Sequence, residues 1–207
     1  MELLLIRHGL PERRELESGV ADPELSEAGH AQAQHLADYL GHEQLDAIYA
    51  SPLRRAYQTA QPLAKALGQS ISVVDDIAEW DRHSNEYVPV EELRAANDPR
   101  WQAMLRGEWT VHEESPTDFR ARVVAAVEAL IVAHSGHRIA VVCHGGVING
   151  YLGHILGLEN PQGFFYPNYT SIHRVAAARS GERSIVTVNE TSHLRRTGLP
   201  MGLFQEG

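Results

Sequence analysis

The sequence predicts an α/β protein, in which a mostly parallel central sheet lies between two helix layers as a three-layer sandwich. Short apolar segments with strand character alternate with longer segments whose apolar residues recur at helical spacing. Three of the apolar segments run directly into polar motifs, which is typical of strands whose carboxyl ends carry a ligand site. The 207 residues suffice for one hydrophobic core, so we expect a single domain over residues 1–207.

The first half of the chain predicts three strands and two helices. Ser26 is a suitable cap for a first helix that continues to about Leu40. Ser51-Pro52 is expected to open the second helix, because serine caps a helix and proline fits its first turn. That helix should end near Leu67, since Gly68 favours the left-handed conformation that terminates helices. The predicted strands cover residues 3–6, 46–50 and 71–74.

Residues 80–114 interrupt this alternation, because apolar residues become sparse there. We predict an excursion from the core that forms a cap over the substrate and contains one helix at residues 90–105. Its tryptophans have two alternative roles: they cover the core, or they line the cap together with His83 and Tyr87. These tryptophans are Trp80, Trp101 and Trp109.

The second half predicts a helix, a strand, a further helix and a closing hairpin. Residues 115–118 have the spacing of a capping box at a helix start. Residues 138–143 (RIAVVC) are the clearest buried strand, and Gly145-Gly146 should turn it into a helix at residues 147–156. Ser180-Gly181 marks the turn of the hairpin. The two hairpin strands cover residues 171–177 and 184–188.

Composition and charge exclude several classes of function. The formal net charge of −9 argues against a general binder of nucleic acid or anionic membranes, which needs an excess of Lys and Arg. No segment approaches the roughly 20 apolar residues of a spanning helix, and the apolar start lacks the basic leader of a secretion signal. Cys143 is the only cysteine, so no internal disulfide is possible and we expect a protein of the reducing cytoplasm. Because Cys143 lies in an apolar strand, we expect its side chain to be a small buried hydrophobic group.

Three predicted strands end in motifs rich in Arg, His and Gly. The motifs are Arg7-His8-Gly9, the segment at residues 51–56 that contains Arg54 and Arg55, and His144-Gly145-Gly146. Because the carboxyl ends of parallel strands meet at one edge of a sheet, we expect these motifs to lie together. Arginine is a forked donor that suits phosphate oxygens, and helix N-termini add backbone N–H groups. The sequence therefore predicts a site for a phosphate dianion.

The histidines in these motifs indicate phosphoryl transfer. The positive charge of Arg7 should disfavour protonation of His8 and leave a neutral imidazole, which is a competent nucleophile. His144 would stabilise the charge of the transferring group. A leaving alkoxide also needs a proton, for which Glu79 is the first candidate and Asp81 the alternative.

Three segments resemble the signatures of the histidine phosphatase superfamily, also called the phosphoglycerate mutase-like family. They are LLIRHG at residues 4–9, ASPLRRAYQTA at residues 50–60 and VVCHGG at residues 141–146. The resemblance also takes in residues 25–29, 32–33 and 189–194, so it covers the chain from residue 3 to about residue 194. A lone Arg-His-Gly would be a weak signal, whereas three signatures in order at strand ends are specific.

The resemblance implies a phosphoglycerate mutase-like fold, with the whole chain as one histidine phosphatase domain, and it implies roles for individual residues. His8 would become phosphorylated, and Glu79 would donate the proton. Arg55 is preferred to Arg54, because the family's functional arginine directly precedes the alanine of the motif. No metal or other cofactor is implied. The phosphoryl group would be held by Arg7, Arg55, His144 and Gly145.

One segment departs from the family pattern. Members often carry Thr or Ser and then Asn soon after Arg-His-Gly, and these residues help to line the phosphate site. Here the segment Leu10-Pro11-Glu12-Arg13-Arg14 follows instead. The departure indicates a different local phosphate shell or a different substrate, so no contact is assigned to residues 10–14.

The motifs are compatible with four functions. A phosphatase acting on phosphorylated small molecules is favoured, because no additional basic cluster is evident for a second anionic group. A mutase that returns the phosphoryl group to a second hydroxyl shares the same motifs, and a phosphate-binding protein without catalysis is a third reading. A metal-dependent hydrolase is disfavoured, since the remaining histidines lack the spacing of metal ligands. A homodimer is the default assembly for such a protein.

Overall fold

The computed structural model describes residues 1–106, 114–159 and 163–203. Its main sheet has six strands in the order β4-β3-β6-β1-β7-β8, and a second sheet consists of β2 and β5. The strands are β1 (Glu2–Arg7), β2 (Arg14–Glu15), β3 (Ala47–Ala50), β4 (Ile71–Val73), β5 (Glu86–Tyr87), β6 (Arg138–Cys143), β7 (Ile172–Ala177) and β8 (Arg183–Glu190). The helices are α1 (Glu27–Leu40), α2 (Arg54–Leu67), α3 (Val90–Ala95), α4 (Pro99–Leu105), α5 (Pro116–Ala133) and α6 (Gly145–Ile155).

The four strands β4, β3, β6 and β1 are parallel, and β7 and β8 continue the sheet in the antiparallel sense. Helices α1 and α2 pack on one face of the sheet, where Leu4 and Ile6 of β1 are buried. Helices α5 and α6 pack on the other face, against Leu3 and Leu5. Because both faces are covered, β1 is apolar at successive positions rather than at alternate ones. The predicted three-layer α/β/α fold is confirmed.

Most of the predicted boundaries agree with the structure to within a few residues. Ser26 caps α1 and accepts a hydrogen bond from the amide of Gly29 at 3.1 Å, as the sequence predicts. The oxygen of Ser115 likewise accepts from the amide of Asp118 at 3.1 Å and caps α5. Gly68 ends α2 in the left-handed conformation, with a φ of 64°. These cap residues form hydrogen bonds with, or close the turn over, backbone groups that the helix itself leaves unpaired.

The prediction for the start of the second helix was wrong. Helix α2 begins at Arg54, and its cap position is Leu53, whose side chain makes no capping hydrogen bond. Ser51 is fully buried and lies before the helix, where its hydroxyl is within 2.7 Å of His144. The serine is therefore used by the strand-end site and not by the helix. Helix α6 also begins earlier than predicted, at Gly145.

In its described residues, the excursion contains two short α-helices where one was predicted, preceded by a 3-10 turn at Trp80–His83. Asn97 has a φ of 48° between α3 and α4, which breaks the helical path. Asp98 then caps α4 by accepting from the amide of Arg100, and Pro99 occupies the first turn. Trp109 of the predicted excursion lies outside the described residues.

The segment after Arg7-His8-Gly9 pairs with the excursion. Strand β2 pairs antiparallel with β5, placing Arg14 opposite Tyr87. An ion pair of 3.3 Å between Arg13 and Glu92 of α3 spans the same junction. The segment that departs from the family pattern therefore anchors the excursion beside the strand ends. Among the residues that the structure describes, no helix is both long and apolar enough to cross a bilayer.

Two glycine-to-alanine substitutions should change stability in opposite directions. A Cβ on Gly29 would lie 2.1 Å from the carbonyl oxygen of Leu10, so Gly29→Ala should destabilise the fold by about 1–3 kcal/mol. A Cβ on Gly150 of α6 would meet only ordinary contacts at 3.8 Å, so Gly150→Ala should stabilise by about 0.5–1 kcal/mol. Urea unfolding of both variants measures the two changes. Equal changes would show that α1 does not approach Leu10 this closely.

Candidate active site

The carboxyl ends of β1, β3 and β6 bring the predicted site residues together. Arg7 and His8 end β1, Arg55 stands in the first turn of α2, and His144 follows β6. The ring centroids of His8 and His144 are 5.1 Å apart. All four side chains are buried, with exposed fractions of 7%, 3%, 1% and 0%, respectively. The site is therefore enclosed by protein on nearly all sides.

The His8 ring is oriented by the backbone that follows it. Its Nδ1 lies 2.7 Å from the carbonyl oxygen of Gly9, and because a carbonyl only accepts, Nδ1 carries the proton. The Nε2 atom of the neutral ring then holds a free lone pair. Thr59 accepts from the amide of Gly9 at 2.9 Å and donates to the carbonyl of Arg55 at 2.6 Å. The backbone that follows His8 and the first turn of α2 are thereby fixed to each other.

Burial and positive charge keep both imidazoles neutral. Desolvation lowers the pKa of His8 well below its usual 6.5, and the charges of Arg55 and Arg7 lower it further. Desolvation also lowers the pKa of His144, with Arg55, His8 and Arg7 acting in the same direction. The sequence predicts the effect of Arg7 on His8, whereas burial is the larger cause in the structure. A neutral imidazole is the form that acts as a nucleophile.

Arg55 is held by a carboxylate and an aromatic ring. Its guanidinium donates to Asp81 at 2.7 Å, and its carbon lies 4.7 Å from the ring centroid of Tyr87. Both partners come from the excursion, so the excursion closes directly over this arginine. The carboxylate of Asp81 is therefore engaged in an ion pair with Arg55.

Arg7 lies under two tyrosine rings of the segment before β7. Its guanidinium carbon is 4.1 Å from the ring centroid of Tyr169 and 5.0 Å from that of Tyr166. It also donates to the carbonyl of Pro167 at 2.5 Å. The two tyrosine hydroxyls donate to one carboxylate, Glu91 of α3, at 2.9 and 3.1 Å. This carboxylate ties the excursion to the tyrosines over Arg7.

Three buried nitrogen atoms around His8 have no hydrogen-bond partner among the described residues. They are Nε of Arg7, Nε of Arg55 and Nδ1 of His144. An unpaired buried donor costs free energy, so three in one site need an external acceptor to satisfy them. The Nε2 atom of His144 lies 2.7 Å from the hydroxyl of Ser51, and when that hydroxyl donates to it the proton of His144 resides on Nδ1. All three atoms then carry N–H groups for which an anion is a suitable acceptor.

Glu79 lies at the N-terminus of α6 and accepts two backbone hydrogen bonds. Its carboxylate accepts from the amide of Gly146 at 2.7 Å and from that of Trp80 at 3.0 Å. A Cβ on residue 146 would lie 2.3 Å from a carboxylate oxygen, so only glycine permits this approach. Desolvation raises the pKa of Glu79, and the negative charge of Asp81 raises it further. The environment of Glu79 therefore favours the protonated form that a general acid requires.

Sequence analysis did not identify several residues that shape the site. Ser51 was interpreted as a helix cap, and Tyr166, Tyr169 and Glu91 carried no motif. The position of Gly146 beside a candidate acid was also not predicted, although the residue belongs to a recognised signature. Distant aromatic and acidic residues of this kind have no fixed spacing from the histidines, so only the fold brings them together.

Other sequence expectations have a simple structural outcome. The side chain of Arg54 is half-exposed and pairs with Glu24 at the surface. Cys143 is fully buried, and burial raises the pKa of its thiol. Trp80 packs on Phe119 of α5, with ring centroids 4.6 Å apart, so it covers the core. Within the described ranges, no group of three or more histidine, cysteine or acidic side chains is arranged to hold a metal ion.

The fold and this constellation are those of enzymes that transfer phosphoryl groups by way of a histidine. The chain belongs to the histidine phosphatase superfamily (branch 1), whose family model matches residues 3–191. The resemblance stated from the signatures is thereby confirmed.

Known proteins resemble the chain along most of its length. A phosphoserine phosphatase 1 from Hydrogenobacter thermophilus is 28% identical over 94% of this chain and 94% of its own length. A bifunctional protein of Mycobacterium tuberculosis is 32% identical over 93% of this chain, but the chain spans only 54% of that relative. The structure of a mutant phosphoserine phosphatase from Entamoeba histolytica in complex with phosphoserine has a TM-score of 0.74 at 25% identity, covering 93% of this chain and 98% of that one.

The charge state of the two histidines should be visible by NMR. We expect the His8 and His144 rings to remain neutral at pH 6, because their pKa values lie well below 6.5. Long-range ¹H–¹⁵N spectra should also show the proton of His8 on Nδ1. Since the unfolded chain takes up protons that the folded chain refuses, these two residues should cost stability as the pH falls through 6.5. Titration of His8 near 6.5 in the folded protein would contradict this electrostatic arrangement.

Proposed function

We propose that the chain is a metal-independent phosphatase that hydrolyses phosphomonoesters through a phosphohistidine on His8. The observation that carries this proposal is the set of three buried, unpartnered nitrogens of Arg7, Arg55 and His144 around a neutral imidazole. A phosphoryl group offers the acceptor oxygens that these nitrogens lack. The N-terminus of α6 at Gly145 adds the positive end of a helix dipole.

In the first step, Nε2 of His8 attacks phosphorus and the bond from phosphorus to the ester oxygen breaks. The two arginines and His144 stabilise the negative charge on the equatorial oxygens. Glu79, protonated because of its raised pKa, gives its proton to the departing alkoxide. The products of the step are a free alcohol and a phosphoryl group bonded to His8.

In the second step, water attacks the phosphohistidine. The Glu79 carboxylate takes a proton from the water, the bond from His8 to phosphorus breaks, and inorganic phosphate leaves. Each group then has its starting protonation state. The roles of Glu79 in the two steps are complementary, as microscopic reversibility requires of one acid–base group.

The substrate in this proposal is a phosphorylated small molecule covered by the excursion at residues 80–114. Tyr87 on Arg55 and the contact of Glu91 with the two tyrosines over Arg7 support the role of this excursion as a cap. Phosphoserine phosphatases are among the relatives of the chain, which supports a phosphatase that acts on small metabolites. Hydrolysis is favoured over mutase chemistry, since both of these relatives are phosphatases.

Removal of the nucleophile should abolish turnover. We expect wild-type protein to release phosphate from p-nitrophenyl phosphate in the presence of EDTA, and His8→Ala to lose about a thousandfold or more of kcat/KM. A discontinuous phosphate assay measures both proteins, and circular dichroism verifies that the variant is folded.

Three results would contradict this proposal in different ways. Turnover that survives in His8→Ala would mean that His8 is not the nucleophile. Activity that EDTA removes and a divalent ion restores would indicate a metal-dependent hydrolase. Rapid interconversion of 3- and 2-phosphoglycerate with little phosphate release would identify a mutase.

The proton donor can be identified through the leaving group. Glu79→Gln should lower kcat for alkyl phosphates by about 10²–10⁴-fold, because the alkoxide leaves without a proton. The effect on p-nitrophenyl phosphate should be much smaller, since nitrophenolate is a good leaving group. Wild-type activity on alkyl phosphates should fall as the pH rises through the pKa of Glu79, which must be protonated for the first step.

Asp81→Asn is the matched control for this substitution. It should weaken phosphate binding through Arg55 for both classes of substrate, because Asp81 is paired with that arginine. Since the charge of Asp81 also raises the pKa of Glu79, a difference between the leaving groups is expected, but a smaller one than Glu79→Gln produces. If Asp81→Asn discriminates between the leaving groups and Glu79→Gln does not, Asp81 is the proton donor.

A further inference from the structure

The late segment at residues 189–193 resembles the family pattern but takes no part in the proposed chemistry. It packs behind residues 166–171, the segment that contacts Arg7 and His8 from the antiparallel side of the sheet. The backbone amide of Arg7 donates to the carbonyl of Ser171 at 3.1 Å, and the amide of Thr170 donates to the carbonyl of His8 at 3.3 Å. Different members of residues 166–171 thus contact the two residues: Pro167 and Ser171 accept from Arg7, and Thr170 donates to His8.

Asn189 holds the part of this segment that surrounds Arg7. Its side-chain oxygen accepts from the amide of Asn168 at 2.7 Å, and its amide nitrogen donates to the carbonyl of Tyr166 at 3.4 Å. Between these two residues lies Pro167, whose carbonyl accepts from the guanidinium of Arg7. The side chain of Asn189 thus spans both sides of the residue that orients Arg7.

The backbone at Asn189 is shaped for this contact. Asn189 has a φ of 59°, in the left-handed region that asparagine tolerates better than most residues. The pairing of β7 with β8 shifts register between Ile172 and Arg174, where Asn189 lies on the opposite strand. Bulges of this kind re-aim a side chain beside active sites. The amide of Asn189 also donates to Nδ1 of the buried His173 at 3.2 Å, and this hydrogen bond holds the bulge of β8 against β7.

His193 holds the part of the segment behind His8. Its Nε2 atom lies 2.9 Å from the hydroxyl oxygen of Thr170. Thr170 is fully buried and has a φ of 51°, which is strained for a β-branched residue. Such a conformation persists only where the surroundings enforce it. The contact with His193 is one of those constraints, and the amide that it helps to orient is the donor to the carbonyl of His8.

We propose that Asn189 and His193 are positioning residues with separate targets, Asn189 for the phosphate clamp of Arg7 and His193 for the nucleophile His8. The inference rests on the proposed function for the role of His8, whereas its part on Arg7 requires only that the site binds phosphate. The two residues should therefore affect different steps when they are changed.

The test for Asn189 uses the affinity of the unreacted protein for inorganic phosphate. Asn189→Gly keeps the positive φ without strain and removes only the side chain. It should weaken phosphate binding, measured by isothermal titration calorimetry, by about five- to tenfold, because loss of both side-chain hydrogen bonds displaces Arg7 and weakens its contact with phosphate by roughly the free energy of one hydrogen bond. Asn189→Asp retains the acceptor for Asn168 and tolerates the same backbone conformation, so it should restore most of the affinity.

The test for His193 uses the rate of the chemical step. His193→Ala should lower kcat for p-nitrophenyl phosphate by about tenfold while phosphate affinity stays within about twofold, because the nucleophile and not the clamp is displaced. His193→Gln retains a polar side chain that can reach Thr170 and should recover part of kcat. Val186→Ala, at an exposed position of β8, is the control for general loosening of the strand and should change neither quantity.

Distinct results would overturn the inference. Phosphate affinity of Asn189→Gly equal to that of the wild type would remove Asn189 from the clamp. Parallel losses of affinity and kcat in both variants would indicate general destabilisation and would contradict separate targets. If the wild type binds phosphate but has no turnover, the proposed function fails, while the calorimetric comparison still decides the role of Asn189.

Discussion

The burial of two guanidinium groups beside two imidazoles is the constraint on which the site depends. Arg7 is 7% exposed and Arg55 is 1% exposed, so the positive charge at this edge of the sheet is shielded little by water. Asp81 and the tyrosine rings compensate part of that charge, and the same field keeps His8 and His144 neutral. In the proposed function, a phosphoryl dianion completes the charge balance and supplies acceptors for the nitrogens that lack partners among the described residues.

The sheet topology makes this concentration of charge achievable. Parallel pairing of β1 with β6 and of β6 with β3 brings three strand ends to one edge, and helices on both faces exclude water from beneath it. Close approach at Gly146 then places the Glu79 carboxylate against the start of α6. There, burial and the nearby charge of Asp81 raise its pKa. One arrangement of backbone thus holds a neutral imidazole beside a carboxyl group of raised pKa, as the proposed mechanism requires.

The fold and the four innermost site residues were predictable because their signals are local. Apolar strands buried on both faces, the Ser26 cap and the motifs at strand ends each depend on residues close in sequence. The rest depends on residues brought together by the fold. Ser51 follows a strand and precedes a proline, as a cap does, yet its hydroxyl contacts His144, 93 residues away. The split of the predicted excursion helix did have a local signal, because Asn97 tolerates positive φ and is followed by the cap Asp98 and by Pro99. The tyrosine-bound Glu91, in contrast, has no motif.

The central claim is that the Nε2 atom of His8 accepts the phosphoryl group. Rapid quench in alkali of the protein mixed with a phosphomonoester, followed by peptide mass spectrometry, tests it directly, because phosphohistidine survives base and is labile in acid. We expect a phosphate on the peptide that contains His8, present during turnover and absent when Arg7 or Arg55 is replaced by alanine. Turnover with no phosphorylated His8 at any time point, or with phosphate on another residue, would contradict the mechanism.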